Sequence, residues 1–133
     1  MADETRIPIN SDADIVTARQ QGRALASEIG FSGTDLTIVA TAISEVARNI
    51  VQYATRGEIV LDYVTEGDKR GLLIMAKDQG PGIPNIELAM QDGYSTGRSL
   101  GVGLPGAQRL MDDFDIVSAV NEGTTITMKK WKR

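Results

Sequence analysis

Glu45 and Asn49 lie four residues apart in the stretch Thr41-Ala42-Ile43-Ser44-Glu45-Val46-Ala47-Arg48-Asn49, and on a helix that spacing stacks a carboxylate one turn from a carboxamide. A carboxylate can take a proton from a hydroxyl or from water. A carboxamide oxygen can ligate Mg²⁺ without neutralising it, which leaves the metal's charge for phosphate. Thr41, Arg48 and Gln52 extend the pair into one narrow polar stripe on an otherwise apolar segment. Two readings fit the stripe, a solvated helix face or a ligand-facing patch. Arg48 by itself reads as a surface ion-pair partner.

Two glycine-rich stretches lie downstream. Asp78-Gln79-Gly80-Pro81-Gly82-Ile83 follows a segment in which Leu72, Ile74, Ala76 and Asp78 share one strand face, so Asp78 points to the side of apolar residues. Gly80 and Gly82 would let a flat ring approach the backbone. The other reading is an exposed Asp opening a Pro-Gly turn. Gly101-Val102-Gly103-Leu104-Pro105-Gly106 has the Gly-x-Gly-x-x-Gly spacing and opens a helix, but no strand precedes it and only 27 residues follow. A dinucleotide fold does not fit there. The remaining mechanism is an anion held by backbone N–H groups at a helix N-terminus. The P-loop pattern is absent.

The rest of the composition narrows the chemistry. With no cysteine and no histidine among 133 residues, disulfides, Cys/His metal sites, Ser-His-Asp triads and phosphohistidine are all excluded. Any general base is Asp, Glu or Lys. The net charge is −4, and Lys129, Lys130, Lys132 and Arg133 leave residues 1–128 at −8, which disfavours nucleic acid as a partner. Residues 1–133 are expected to form one domain, with no membrane span, no signal-like start and hence a cytoplasmic location.

Periodicity supplies the elements that would position these residues. A strand is expected over Thr5 to Ile9, then a helix capped by Ser11, with Asp12 and Asp14 in its first turn and Gly30 at its end. Thr34 or Ser32 caps a second helix that runs to about Thr55 and carries the polar stripe. Glu58 to Thr65 and Leu72 to Lys77 read as a hairpin, Leu104 to Asp112 as a helix, and Ile116 to Val120 with Thr124 to Lys130 as a closing strand pair. This order is α+β: a two-layer sandwich whose mixed, mostly antiparallel sheet is covered on one face by helices.

Glu45-x-x-x-Asn49, Asp78-x-Gly80-x-Gly82, Gly101-x-Gly103-Leu104 and Gly123-Thr124 occur in the order of the four ATP-binding boxes of the GHKL superfamily, and the chain resembles that family, with its Bergerat fold, over its whole length. Within it, Ala42-Ile43-Ser44-Glu45, Asp78 to Ile83, Gly103-Leu104-Pro105-Gly106 and Arg109-Leu110-Met111-Asp112 are similar to the switch protein kinases of the bacterial stressosome. The resemblance implies ATP and Mg²⁺ as cofactors. It implies that Asp78 accepts from the adenine amino group, with Gly82 and Thr124 beside the base and Gly80 and Ile83 also in the nucleotide site. Asn49 would ligate Mg²⁺, Glu45 would act as general base, and Gly101 and Gly103 would donate to phosphate oxygens, with Val102 and Leu104 also in the nucleotide site.

The segment from about Asn85 to Leu100 resembles the family's ATP lid. The implied activity is phosphorylation of serine or threonine on STAS-domain scaffold or antagonist proteins, with a PP2C-type phosphatase as the target activated on release. The alternative is an anti-sigma-type switch that sequesters a partner in a nucleotide-dependent way.

Overall fold

The computed structural model describes residues 4–54, 56–82, 90 and 103–132. Strand β1 spans Thr5–Ile9, helix α1 Asp12–Ile29 and helix α2 Thr34–Tyr53. Strands β2 (Gly57–Glu66) and β3 (Lys69–Asp78) follow, then helix α3 (Gly103–Leu110) and strands β4 (Asp113–Ala119) and β5 (Gly123–Trp131).

Local chemistry sets the helix ends. The Asp14 carboxylate accepts from the N–H groups of Asn10 at 2.7 Å and Ser11 at 3.1 Å, which satisfies donors at the start of α1. Gly30 closes α1 in the left-handed conformation at φ 118°, and its N–H bonds back to Ala26 and Ser27. At α2 the expected cap differs. Gly33 occupies that position at φ 57°, and the carbonyl oxygens of Ser32 and Gly33 accept from Asp35 and Leu36, so no hydroxyl from Ser32 or Thr34 is needed.

The five strands form one sheet in the order β1-β2-β3-β5-β4. Every pairing among the described residues is antiparallel, the limiting case of the mostly antiparallel sheet expected. The β2–β3 hairpin is longer than its polar residues suggest. Its ladder runs out to Glu66 opposite Lys69, and Gly67 at φ 62° lets the chain reverse within two residues. Strand β5 runs between β3 and β4, which puts β4 at the sheet edge. Its acids Asp113 and Asp115 are exposed, whereas Phe114 and Ile116 pack against the core from the other face.

Helices α1 and α2 cover one sheet face. Ile15, Ala18, Ala26 and Ile29 of α1 meet Ala42, Ile43, Val46 and Ile50 of α2 above Ile59, Leu61, Leu72, Ile74, Ile126 and Met128. Gly22 brings the helices together, since a Cβ there would overlap the Ile43 side chain. α3 lies on the flank of α2 and buries Leu104, Pro105, Gly106 and Ala107. No helix among the described residues is long and apolar enough to cross a membrane.

Ile43 is fully buried at the centre of this layer, so Ile43→Ala should lower unfolding free energy by about 2 to 5 kcal/mol through lost apolar contact and the cavity left behind. Urea denaturation followed by circular dichroism measures this; a midpoint equal to the parent's would contradict the packing described.

Candidate active site

The polar stripe of α2 is not a uniform solvated face. Thr41, Arg48, Asn49 and Gln52 are half-buried, and Glu45 is only 6% exposed. A buried carboxylate must be hydrogen-bonded to be tolerated. Both oxygens of Glu45 are engaged: Oε1 accepts from the backbone N–H of Gly103 at 3.0 Å and Oε2 from Nη1 of Arg48 at 2.8 Å. The Gly103 N–H belongs to the first turn of α3, where backbone donors lack intrahelical partners and the helix end is partially positive. A carboxylate is well matched to that place. Gly103 adopts φ 68°, a conformation that favours glycine.

Asn49 follows one turn later on the same helix, as the four-residue spacing requires. Its carboxamide has no hydrogen-bond partner among the described residues. Arg48 is the surface ion-pair partner expected of it, but its partner is the site carboxylate itself.

The second half of the site is built at the junction of β3, β5 and the C-terminal end of α2. Asp78 ends β3 directly opposite Thr124 of β5, so the two side chains share the helix-facing side of the sheet. Asp78 Oδ1 accepts from the Gly80 N–H at 2.9 Å, which turns the chain tightly after the strand. Thr124 is buried, and its hydroxyl shares a 2.8 Å hydrogen bond with that of Ser118, which also donates to the Gly123 carbonyl at 3.2 Å.

Glycines let backbones close in around this carboxylate. A Cβ at Gly123, which has φ 94°, would overlap the carbonyl oxygen of Asp78, and one at Gly82, with φ 82°, would overlap that of Ala119. Gly80 lies against Ala54 at the end of α2, and the Asn121 N–H donates to the Pro81 carbonyl at 2.8 Å. The turn after β3 is thereby held between a helix end and the β4–β5 turn.

The structure thus groups Glu45 with Gly103 and Asn49, and Asp78 with Gly80, Gly82 and Thr124. Leu104 lies within the hydrophobic core beside them, 7% exposed. Ile83, Gly101 and Val102, and the proposed lid from 85 to 100 apart from Met90, lie outside the described residues. No group of three or more carboxylates able to hold a metal ion occurs among the described residues. Sequence reasoning missed Ser118 and the pairing of Arg48 with Glu45. The signal for Ser118 was its register opposite Thr124, which appears only once β4 and β5 are aligned. For Arg48 it was the three-residue step from Glu45.

Residues 9–130 match the family described as the histidine kinase-like ATPase domain. The chain is 50% identical over 133 residues, the full length of both proteins, to the serine/threonine-protein kinase RsbT of Bacillus subtilis. It is 32% identical over 119 residues to the anti-sigma F factor of Clostridium kluyveri, covering 85% of this chain and 82% of that one. Among solved structures, the RsbU and RsbW domains of a Mycobacterium tuberculosis protein superpose on 99% of this chain with a TM-score of 0.64 at 21% identity. This chain spans 34% of that longer one, and the likeness is one of fold.

The chain belongs to the histidine kinase-like ATPase family and is an ATP-binding domain. Within the family it is a serine/threonine-protein kinase of the partner-switching kind, similar from end to end to RsbT.

Because the Gly123 backbone touches that of Asp78, Gly123→Ala should cost about 1 to 3 kcal/mol through backbone strain and displace the Asp78 carboxylate. Thermal melting with and without ATP reads both effects. The expected result is a lower melting temperature together with a smaller ATP-induced rise.

Proposed function

We propose that this kinase binds Mg-ATP between the Asp78 turn and the start of α3, and transfers the γ-phosphoryl group to a serine or threonine of a STAS-domain partner, with Glu45 as general base. The observation that carries the reading is the buried Glu45 carboxylate bonded to the Gly103 N–H, with Asn49 one turn away. Chain 1–133 acts as one cytoplasmic domain in this reading.

Asp78 accepts from the exocyclic amino group of adenine, its Oδ2 having no donor among the described residues, and the close-packed backbones at Gly80 and Gly82 accommodate the flat base. Ile83 and the Thr124 hydroxyl border it. In this reading the glycine-rich stretch from Gly101 to Leu104 supplies backbone donors to the phosphates, the Gly103 N–H excepted because it already serves Glu45. The donor set fits Mg²⁺, because Asn49 offers a neutral oxygen without a competing partner among the described residues, and phosphate and water would supply the remaining oxygen ligands. Bound there, Mg²⁺ would offset charge on the transferring phosphates.

Glu45 draws the proton from the acceptor hydroxyl as the oxygen attacks phosphorus, a contribution of roughly 10²- to 10⁴-fold in rate. With no histidine, the chain cannot phosphorylate itself on that residue type. On release from the scaffold, the kinase would bind and activate a PP2C-type phosphatase.

Incubation with radiolabelled ATP, Mg²⁺ and a STAS-domain protein should label the partner on serine or threonine. Glu45→Gln should cut the rate at least about 100-fold with partner binding retained. Unchanged labelling would remove Glu45 from the mechanism. Asp78→Asn should abolish the rise in melting temperature that ATP gives the parent.

A second reading is favoured by the anti-sigma F factor relatives: a switch that sequesters a sigma subunit in a nucleotide-dependent way. Pull-down with sigma subunits separates the two. Retention of sigma without phosphoryl transfer to any STAS protein would support the second.

A further inference from the structure

Among the described residues, the polar contact of Arg48 is with the Glu45 carboxylate alone. Its Nη1 lies 2.8 Å from Glu45 Oε2, three residues away on α2, and its side chain is 37% exposed against 6% for Glu45. Such a pair at the surface would do little, since water screens both charges. Here the acceptor is buried and has two donors among the described residues, so each one helps determine where the carboxylate plane lies. The terminal torsion of a glutamate side chain is broad and does not fix that plane by itself.

The two donors differ in origin and in charge. The Gly103 N–H is neutral and comes from another helix, at the end of the segment that borders the phosphates in the proposed reading. Arg48 is permanently charged and sits on the same helix as Glu45, so the helix itself maintains the spacing.

We infer that Arg48 is a positioning residue for phosphoryl transfer: it anchors Glu45 through Oε2, sets the plane of the carboxylate, and leaves Oε1 as the atom that receives the hydroxyl proton. A proton on Oε2 would have to share that oxygen with a guanidinium N–H already directed at it, which disfavours it. Among the described residues, Oε1 meets only the neutral Gly103 N–H. In the transfer step the acceptor O–H bond breaks and its proton passes to Oε1, the new O–P bond forms at the γ-phosphorus, and the bond from that phosphorus to the bridging oxygen breaks to release ADP. Glu45 afterwards returns the proton to solvent. The inference rests on the reading of Glu45 as general base.

The experiment is steady-state kinetics of Arg48→Ala and Arg48→Lys with Mg-ATP and a phosphorylatable STAS protein, with Glu45→Gln alongside. Nucleotide binding and thermal melting of each variant count the folded sites. Arg48→Ala should lower kcat about 10- to 100-fold while KM for ATP stays within about threefold, the pattern of a misplaced group and not of lost binding. Arg48→Lys should recover part of the loss, because an ammonium supplies the charge without the planar fork.

A kcat for Arg48→Ala within about twofold of the parent, with Glu45→Gln inactive, overturns the positioning role and leaves the general base standing. A raised KM for ATP at unchanged kcat also overturns it, since Arg48 would then be a phosphate contact. An active Glu45→Gln removes the general-base reading, and this inference with it.

Discussion

A carboxylate buried to 6% exposure can remain charged in a folded protein only if donors surround it, and in this chain that requirement joins the two parts of the helical layer. Glu45 sits on α2, which is packed against α1, against α3 and onto the sheet. Its Oε1 is satisfied by the first turn of α3 and its Oε2 by α2 itself. The bond therefore serves two ends. It gives an orphan helix donor an acceptor, and it fixes a buried carboxylate beside the first turn of α3.

The sheet solves a separate problem, the presentation of Asp78. Strand β5 enters between β3 and β4, so the closing strand of the chain lies beside the one that ends in Asp78. Thr124 is thereby set opposite Asp78, Ser118 opposite Thr124, and Gly123 against the Asp78 backbone. Polar groups that would be costly in an apolar layer satisfy one another there. The glycines keep the surrounding backbones close enough to wall the turn on two sides.

The full-length match to a serine/threonine-protein kinase extends across both halves of the site, and the anti-sigma factors share the same domain at lower identity. A fold match at 21% identity to RsbU and RsbW domains shows that the two-layer arrangement tolerates extensive change in sequence. Conservation of the scaffold at that distance fits a layer held by nondirectional apolar packing, where volume and pattern matter more than identity.

The sequence by itself determined β1, both ends of α1, the body of α2 and the strand face of Asp78. Each rests on a local rule: the capping acid Asp14, the left-handed Gly30, and the 3.6- and 2-residue periods of apolar burial. The pairing of Glu45 with Asn49 across one helical turn was legible for the same reason. Only the tertiary structure decided that Gly33 and not a hydroxyl caps α2, because neighbouring carbonyl oxygens already supplied the acceptors. It also extended β4 back to Asp113, since an edge strand with acids on its open face lacks the apolar run by which a strand is recognised. The meeting of Glu45 with Gly103, 58 residues apart, and of Ser118 with Thr124 depends on helix packing and strand register. Those are properties of the assembled layers, and no local period in the chain encodes them.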